Sequence, residues 1–182
     1  MRYNVAQLLK GPTGQRRHYE LLENIEGLDP ELHAVTALTG AISLTRTSQG
    51  ILAMGKLRTT LEVECRRCLE AFEADVVLNL EEEFHPTVLI DDAPFDRVPK
   101  EDEDEALKID AHHILDLREV IRQGLWLALP MDTLCRPDCA GLCPTCGGNR
   151  NLGECQCVPE AVDPRWSTLK DLVSKEPDSR KE

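Results

Sequence analysis

Eight cysteines in four close pairs constrain this chain more than any other feature: Cys65/Cys68 (CxxC), Cys135/Cys139 (CxxxC), Cys143/Cys146 (CxxC) and Cys155/Cys157 (CxC). Met1 to Lys10 lacks both the charged-then-apolar pattern and the cleavage signature of an export signal, so a cytoplasmic location is expected. In that reducing compartment, thiols in close pairs read as metal ligands before disulfides. Structural zinc takes four thiolate or imidazole ligands at about 2.0–2.3 Å, and a two-residue gap lets one tight turn aim two sulfurs at one ion. Eight ligands divide into two such sites.

The strongest local signal is Cys143-Pro144-Thr145-Cys146-Gly147-Gly148, a zinc knuckle whose glycines let the backbone fold around the ion without a Cβ clash. Its natural partner is Cys155/Cys157, reached through a short loop from Asn149 to Glu154. Cys65/Cys68 would then share an ion with Cys135/Cys139, joining the two halves of the chain. A single zinc drawn from the six downstream cysteines, with Cys65/Cys68 free, fits the spacing nearly as well. Forming one zinc site contributes on the order of 10 kcal/mol, so metal removal should unfold at least the C-terminal part.

Two other uses of the thiols compete. Buried free cysteines act as small apolar residues, which suits eight in four close pairs poorly. In a redox reading, Arg66 and Arg67 would lower a thiolate pKa at Cys65 or Cys68. Thioredoxin-type motifs, however, open a helix, whereas the residues after Cys68 alternate like a strand.

That alternation runs through the first half of the chain. Leu38, Gly40, Ile42 and Leu44 alternate with Thr39, Ser43 and Thr45; Ser48-Gln49-Gly50 turns the chain; and Ile51 to Val63 is small or apolar at every odd position. Phe72 to Leu80 continues the pattern, which makes the first CxxC the tip of a hairpin. Weaker strands are expected near residues 2–9 and 17–25. The predicted fold class is therefore α+β: an antiparallel sheet over residues 1–84, curled into a sandwich or partial barrel to hide its edges. An acidic flexible loop over 85–109 follows, carrying the run from Glu101 to Glu105.

A helix over 110–130 is expected next, capped by Asp110, with Ile114, Leu117, Ile121, Leu125 and Ala128 on one face and a stop before Pro130. Residues 131–175 form the Cys-rich zinc module. Its closing helix is announced by Asp163-Pro164 and carries Trp166, Leu169, Leu172 and Val173, and residues 176–182 form a frayed tail. Only seven residues are aromatic, so the core must rest on Leu, Val, Ile and Ala.

The net charge of −12 disfavours a phosphate-neutralising face, and with it a zinc-ribbon module gripping nucleic acid. No apolar run reaches the 18 or more residues that cross a bilayer. His18, His33, His85, His112 and His113 form no ligand-spaced set, with His112 and His113 in the first turn of the expected helix. No phosphate loop, GxGxxG, nucleophile elbow or HExxH occurs, so neither an enzymatic activity nor a small-molecule substrate is expected.

The order of these features is similar to the YceD family. The resemblance is carried by Cys65-Arg66-Arg67-Cys68-Leu69, the acidic loop, Ile109-Asp110 leading to Leu127-Ala128-Leu129-Pro130, the stretch Cys139-Ala140-Gly141-Leu142-Cys143-Pro144-Thr145-Cys146-Gly147, and Asp163-Pro164-Arg165-Trp166. It spans about Leu57 to Val173. It implies a role in accumulation of large-subunit ribosomal RNA, and so in ribosome assembly, with zinc as cofactor and no enzymatic activity. With the acidic balance, that implies contact with a basic ribosomal or assembly protein, and with RNA only locally, near Arg136 and Arg150.

Overall fold

The computed structural model describes residues 1–88, 104–153, 155–157 and 165. In chain order these form β1 (Arg2–Asn4), α1 (Ala6–Leu9), β2 (Arg16–Glu23), β3 (His33–Ala34), β4 (Leu38–Arg46), β5 (Ile51–Glu64), β6 (Ala71–Pro86), β7 (Lys108–Ile109), β8 (Ile114–Asp116) and α2 (Arg118–Ala128). The two-residue period dictates the sheet. Along β5, Ile51, Ala53, Leu57, Thr59 and Leu61 are buried while Met54, Lys56, Arg58, Glu62 and Glu64 face water. β5 and β6 pair without a break from Ile51↔Phe84 to Glu64↔Ala71, so residues 65–70 are the hairpin tip. Gly40 lets β4 and β5 approach: its φ is 151°, and a Cβ there would lie 2.3 Å from the Lys56 carbonyl oxygen.

Six strands form one sheet, ordered β2-β4-β5-β6-β7 with β3 beside β5, and β1 pairs with β8 in a separate ribbon. All pairings are antiparallel except β6 with β7. The expected partial barrel does not form. β2 ends one edge, β6 and the short β7 end the other, and the edges do not meet. Closure is unnecessary because helices and the ribbon cover one face. Leu8 and Leu9 of α1, Leu115, Leu117, and Val120, Ile121 and Leu125 of α2 join Leu44, Leu57, Leu78 and Phe84 in one core. Arg46, 2% exposed, crosses that core edge: its guanidinium donates to the carbonyls of Leu9 (3.1 Å), Gly50 (3.4 Å) and Thr47, tying α1 to the β4–β5 turn.

Three expected elements differ. The helix placed at Asp110 starts only at Arg118. Asp110 Oδ1 instead accepts the N–H groups of His112 and Ile114, both at 2.8 Å, in a tight turn with His113 at φ 61°. His112 and His113 therefore precede the helix, and Ile114–Asp116 pairs with β1. The strand expected over 2–9 ends at Asn4, whose Oδ1 accepts the Ala6 N–H and opens α1. The acidic loop is shorter at both ends: His85 and Pro86 belong to β6, and a 3-10 turn at Glu105–Leu107 leads into β7. Residues 89–103 of that loop, the closing helix expected from Asp163-Pro164 apart from Arg165, and the tail lie outside the described residues. No helix among the described residues is long and apolar enough to cross a membrane.

Candidate metal centres

The hairpin tip turns in a form that aims two thiols the same way. The N–H of Cys65 donates to the Glu70 carbonyl (2.9 Å), the N–H of Leu69 donates back to the Cys65 carbonyl (2.9 Å), and Leu69 takes a left-handed φ of 61°. The second CxxC repeats this geometry. Cys143 N–H donates to Gly148 (2.8 Å), Gly147 N–H donates to Cys143 (2.9 Å), and Gly147 has φ 71°. The chain thus holds two knuckles of one design. The glycine suits the left-handed position in one, and an exposed leucine is forced into it in the other.

After α2 the chain returns to the hairpin tip. Thr133 Oγ1 donates to the Glu64 carbonyl (2.9 Å), Arg66 N–H donates to the Thr133 carbonyl (2.9 Å), and Arg67 Nη1 donates to the Cys139 carbonyl (3.1 Å). These bonds bring Cys135 and Cys139 over Cys65 and Cys68. The Sγ atoms of Cys65 and Cys139 stand 3.8 Å apart and those of Cys68 and Cys135 3.7 Å apart. Four sulfurs held tetrahedrally at about 2.3 Å from one ion would stand about 3.8 Å from one another, whereas bonded sulfurs stand at about 2.05 Å. Cys143, Cys146, Cys155 and Cys157 form a second group, and within each group all four sulfurs lie within 4.8 Å of one another. Each group could hold a metal ion, and no histidine joins either.

The two centres differ in setting. Cys65, Cys68 and Cys139 are buried and packed with Phe72 and Leu134. In the second group Cys143 is buried, Cys146 is exposed and the other two are half-buried. Electrostatics within each group divides the thiols. Backbone hydrogen bonds from Cys135, then from Cys68 and Arg67, hold Cys65 at about 6 against a burial that raises it. Burial, then the neighbouring Cys68 and Cys65, pushes Cys135 up to about 12. Cys68 is raised: a backbone bond at Glu70 lowers it, but burial with Cys65 and Cys139 outweighs that. Backbone bonds from Cys146 and Thr145 hold Cys143 at about 6, while Cys146 and burial push Cys157 up to about 12. Hydrogen bonds thus favour the thiolate at some of the sulfurs, while burial and neighbouring thiols disfavour it at others.

The spacing of the cysteines does not reveal what links the centres. Asn151 lies in the loop between Cys146 and Cys155, yet its Nδ2 donates to Cys139 Sγ of the first group (3.2 Å). Its Oδ1 accepts from Ala140 N–H (2.8 Å) and Arg136 (2.6 Å). Asn149 Nδ2 donates to Glu70 Oε1 at the hairpin tip (3.2 Å). The Asn151 bond also favours the thiolate of Cys139, which is lowered despite a burial that raises it.

A sequence profile described as "Large ribosomal RNA subunit accumulation protein YceD" matches residues 53–173. The chain belongs to the YceD family. The match begins inside β5, and all eight cysteines lie within it. This YceD chain is also similar to an uncharacterized protein of Mycobacterium tuberculosis, 28% identical over 190 residues that cover 98% of this chain and 84% of the relative. A chloroplastic relative in maize, named a large ribosomal RNA subunit accumulation protein YCED homolog, is 26% identical over 154 residues, covering 70% of this chain and 50% of the relative. No solved structure matches.

Proposed function

We propose that each four-cysteine group holds a structural zinc ion and that the protein is a non-enzymatic, cytoplasmic accessory factor in ribosome biogenesis, supporting accumulation of large-subunit ribosomal RNA. The observation that carries the zinc half is the gathering of eight thiols into two compact sets of four, since zinc is the ion that closed all-thiolate sites most commonly take. Zinc would supply no redox chemistry there; it would fix the hairpin tip to the segment after α2. The ribosomal half is supported by the family description and by the name of the maize relative.

With a net charge of −12, the favoured contact is a basic ribosomal or assembly protein. Arg136 and Arg150 near the knuckles offer RNA at most a local touch. Elemental analysis of the reduced, purified protein should find close to two zinc ions per chain. Tagged protein from gently lysed cells should sediment with large-subunit precursors in a gradient. Migration as free protein at every salt concentration would count against the assembly role, and reversible loss of two thiols without bound metal would favour a thiol oxidoreductase.

A further inference from the structure

β6 pairs with β5 along one side from Ala71 to Phe84, but on its other side β7 meets only His85 and Pro86. In an antiparallel pair every second residue turns its N–H and C=O away from the partner. Along Ala71–Phe84 those outward groups have no partner among the described residues. Natural edges of this length are usually blunted by lysine, proline or a bulge. Here the stretch 71–84 contains no lysine, proline or glycine, and its pairing with β5 is unbroken.

Residues 77–82 of this edge line a groove of about 360 Å³ together with Gln123, Gly124 and Leu127 of α2 and with Asp104 and Leu107. Leu127 is 87% exposed and Val77 40% exposed, so apolar surface lies beside backbone groups that have no partner among the described residues. Glu81, Glu82 and Asp104 supply the charge, and no lysine or arginine lines the groove. The acidic residues discourage a second copy of this chain from pairing here and favour a strand of opposite sign.

We propose that the β6 edge binds an extended basic segment of a partner protein by strand addition, main chain to main chain along residues 77–82. Its lysines or arginines would stand on the outer face of the sheet beside Glu81, and its apolar side chains on the α2 face against Leu127, with Glu82 and Asp104 adding negative charge around the strand. This assigns a place on the molecule to the basic ribosomal or assembly protein proposed above and rests on that reading only for the partner's identity.

The test uses the full, zinc-loaded chain and a labelled decapeptide alternating lysine with valine. Amide hydrogen exchange should slow at least about tenfold at alternate positions within 77–82 when the peptide is bound. The same peptide N-methylated at alternate residues should not bind, and the double variant Glu81→Lys/Glu82→Lys should bind roughly tenfold more weakly by fluorescence anisotropy. Four results would overturn the proposal: no binding, binding without slowed exchange at 77–82, equal binding of the N-methylated peptide, or edge amides already slow in the free protein because other residues of the chain cover them. None of these depends on whether the protein sediments with ribosomal precursors, so the two readings can fail separately.

Discussion

At the scale of single residues, the two knuckles form a natural comparison. Leu69 occupies the left-handed position that Gly147 fills without strain, and its side chain is 55% exposed. Leu69→Gly should therefore leave stability unchanged or raise it by up to about 1 kcal/mol, while Gly147→Ala should cost about 1 kcal/mol, both by denaturant unfolding of the zinc-bound protein. Asn151→Ala removes the donor to Cys139 Sγ and should weaken metal retention at the first centre about tenfold in competition with a chromophoric chelator, with the second centre less affected. The proton balance gives a third outcome. At pH 7 Cys68 and Cys135 still carry protons, so loading the first centre must release at least two, which titration calorimetry in buffers of different ionisation enthalpy would count. Every ligand must lose its proton to bind, so apparent metal affinity should also fall as pH is lowered.

Among the elements, the ribbon of β1 and β8 hangs on Asp116. Partial burial raises its pKa, but hydrogen bonds from the Arg118 side chain and backbone and from Arg2 outweigh that and hold it at about 2. A carboxylate depressed in the folded state contributes stability that is present above its unfolded pKa of about 4 and is lost as pH falls towards about 2. After discounting for exposure, roughly 1 kcal/mol should disappear across that window, and Asp116→Asn should remove that share of the acid dependence while the part due to Asp29 and Glu119 stays, as read from unfolding midpoints against pH. Asp110 shows why this element was hidden in the sequence. An aspartate before an apolar periodic run caps a helix or closes a tight turn with the same oxygen, and here the pairing of Ile114–Asp116 with β1 decides for the turn. In the same way Leu8 and Leu9 suit a strand or a short helix, and their burial under β4 settles on the helix.

Across the described residues, the sheet and α2 share one hydrophobic core, whereas the cysteine-rich segment packs Phe72 and Leu134 around its buried thiols. Chelation should therefore melt residues 131–157 and the hairpin tip while leaving the sheet folded, seen as fast amide exchange confined to those residues with most far-ultraviolet β signal retained. Complete unfolding, or no change, would refute that division. The sequence by itself determined the long strands, because a period of two over fourteen residues of β5 leaves one face to bury. It also set the local form of each knuckle, since the spacing of two cysteines fixes what one turn can aim. Only the tertiary structure decided that the sheet stays open, because covering one face with α1, α2 and the ribbon removes the reason to close. Of the two divisions of the cysteines that their spacing allowed, it selected the one that joins Cys65/Cys68 to Cys135/Cys139, and it alone placed Asn151 against Cys139, since those contacts join residues up to 74 positions apart through hydrogen bonds that no local pattern encodes.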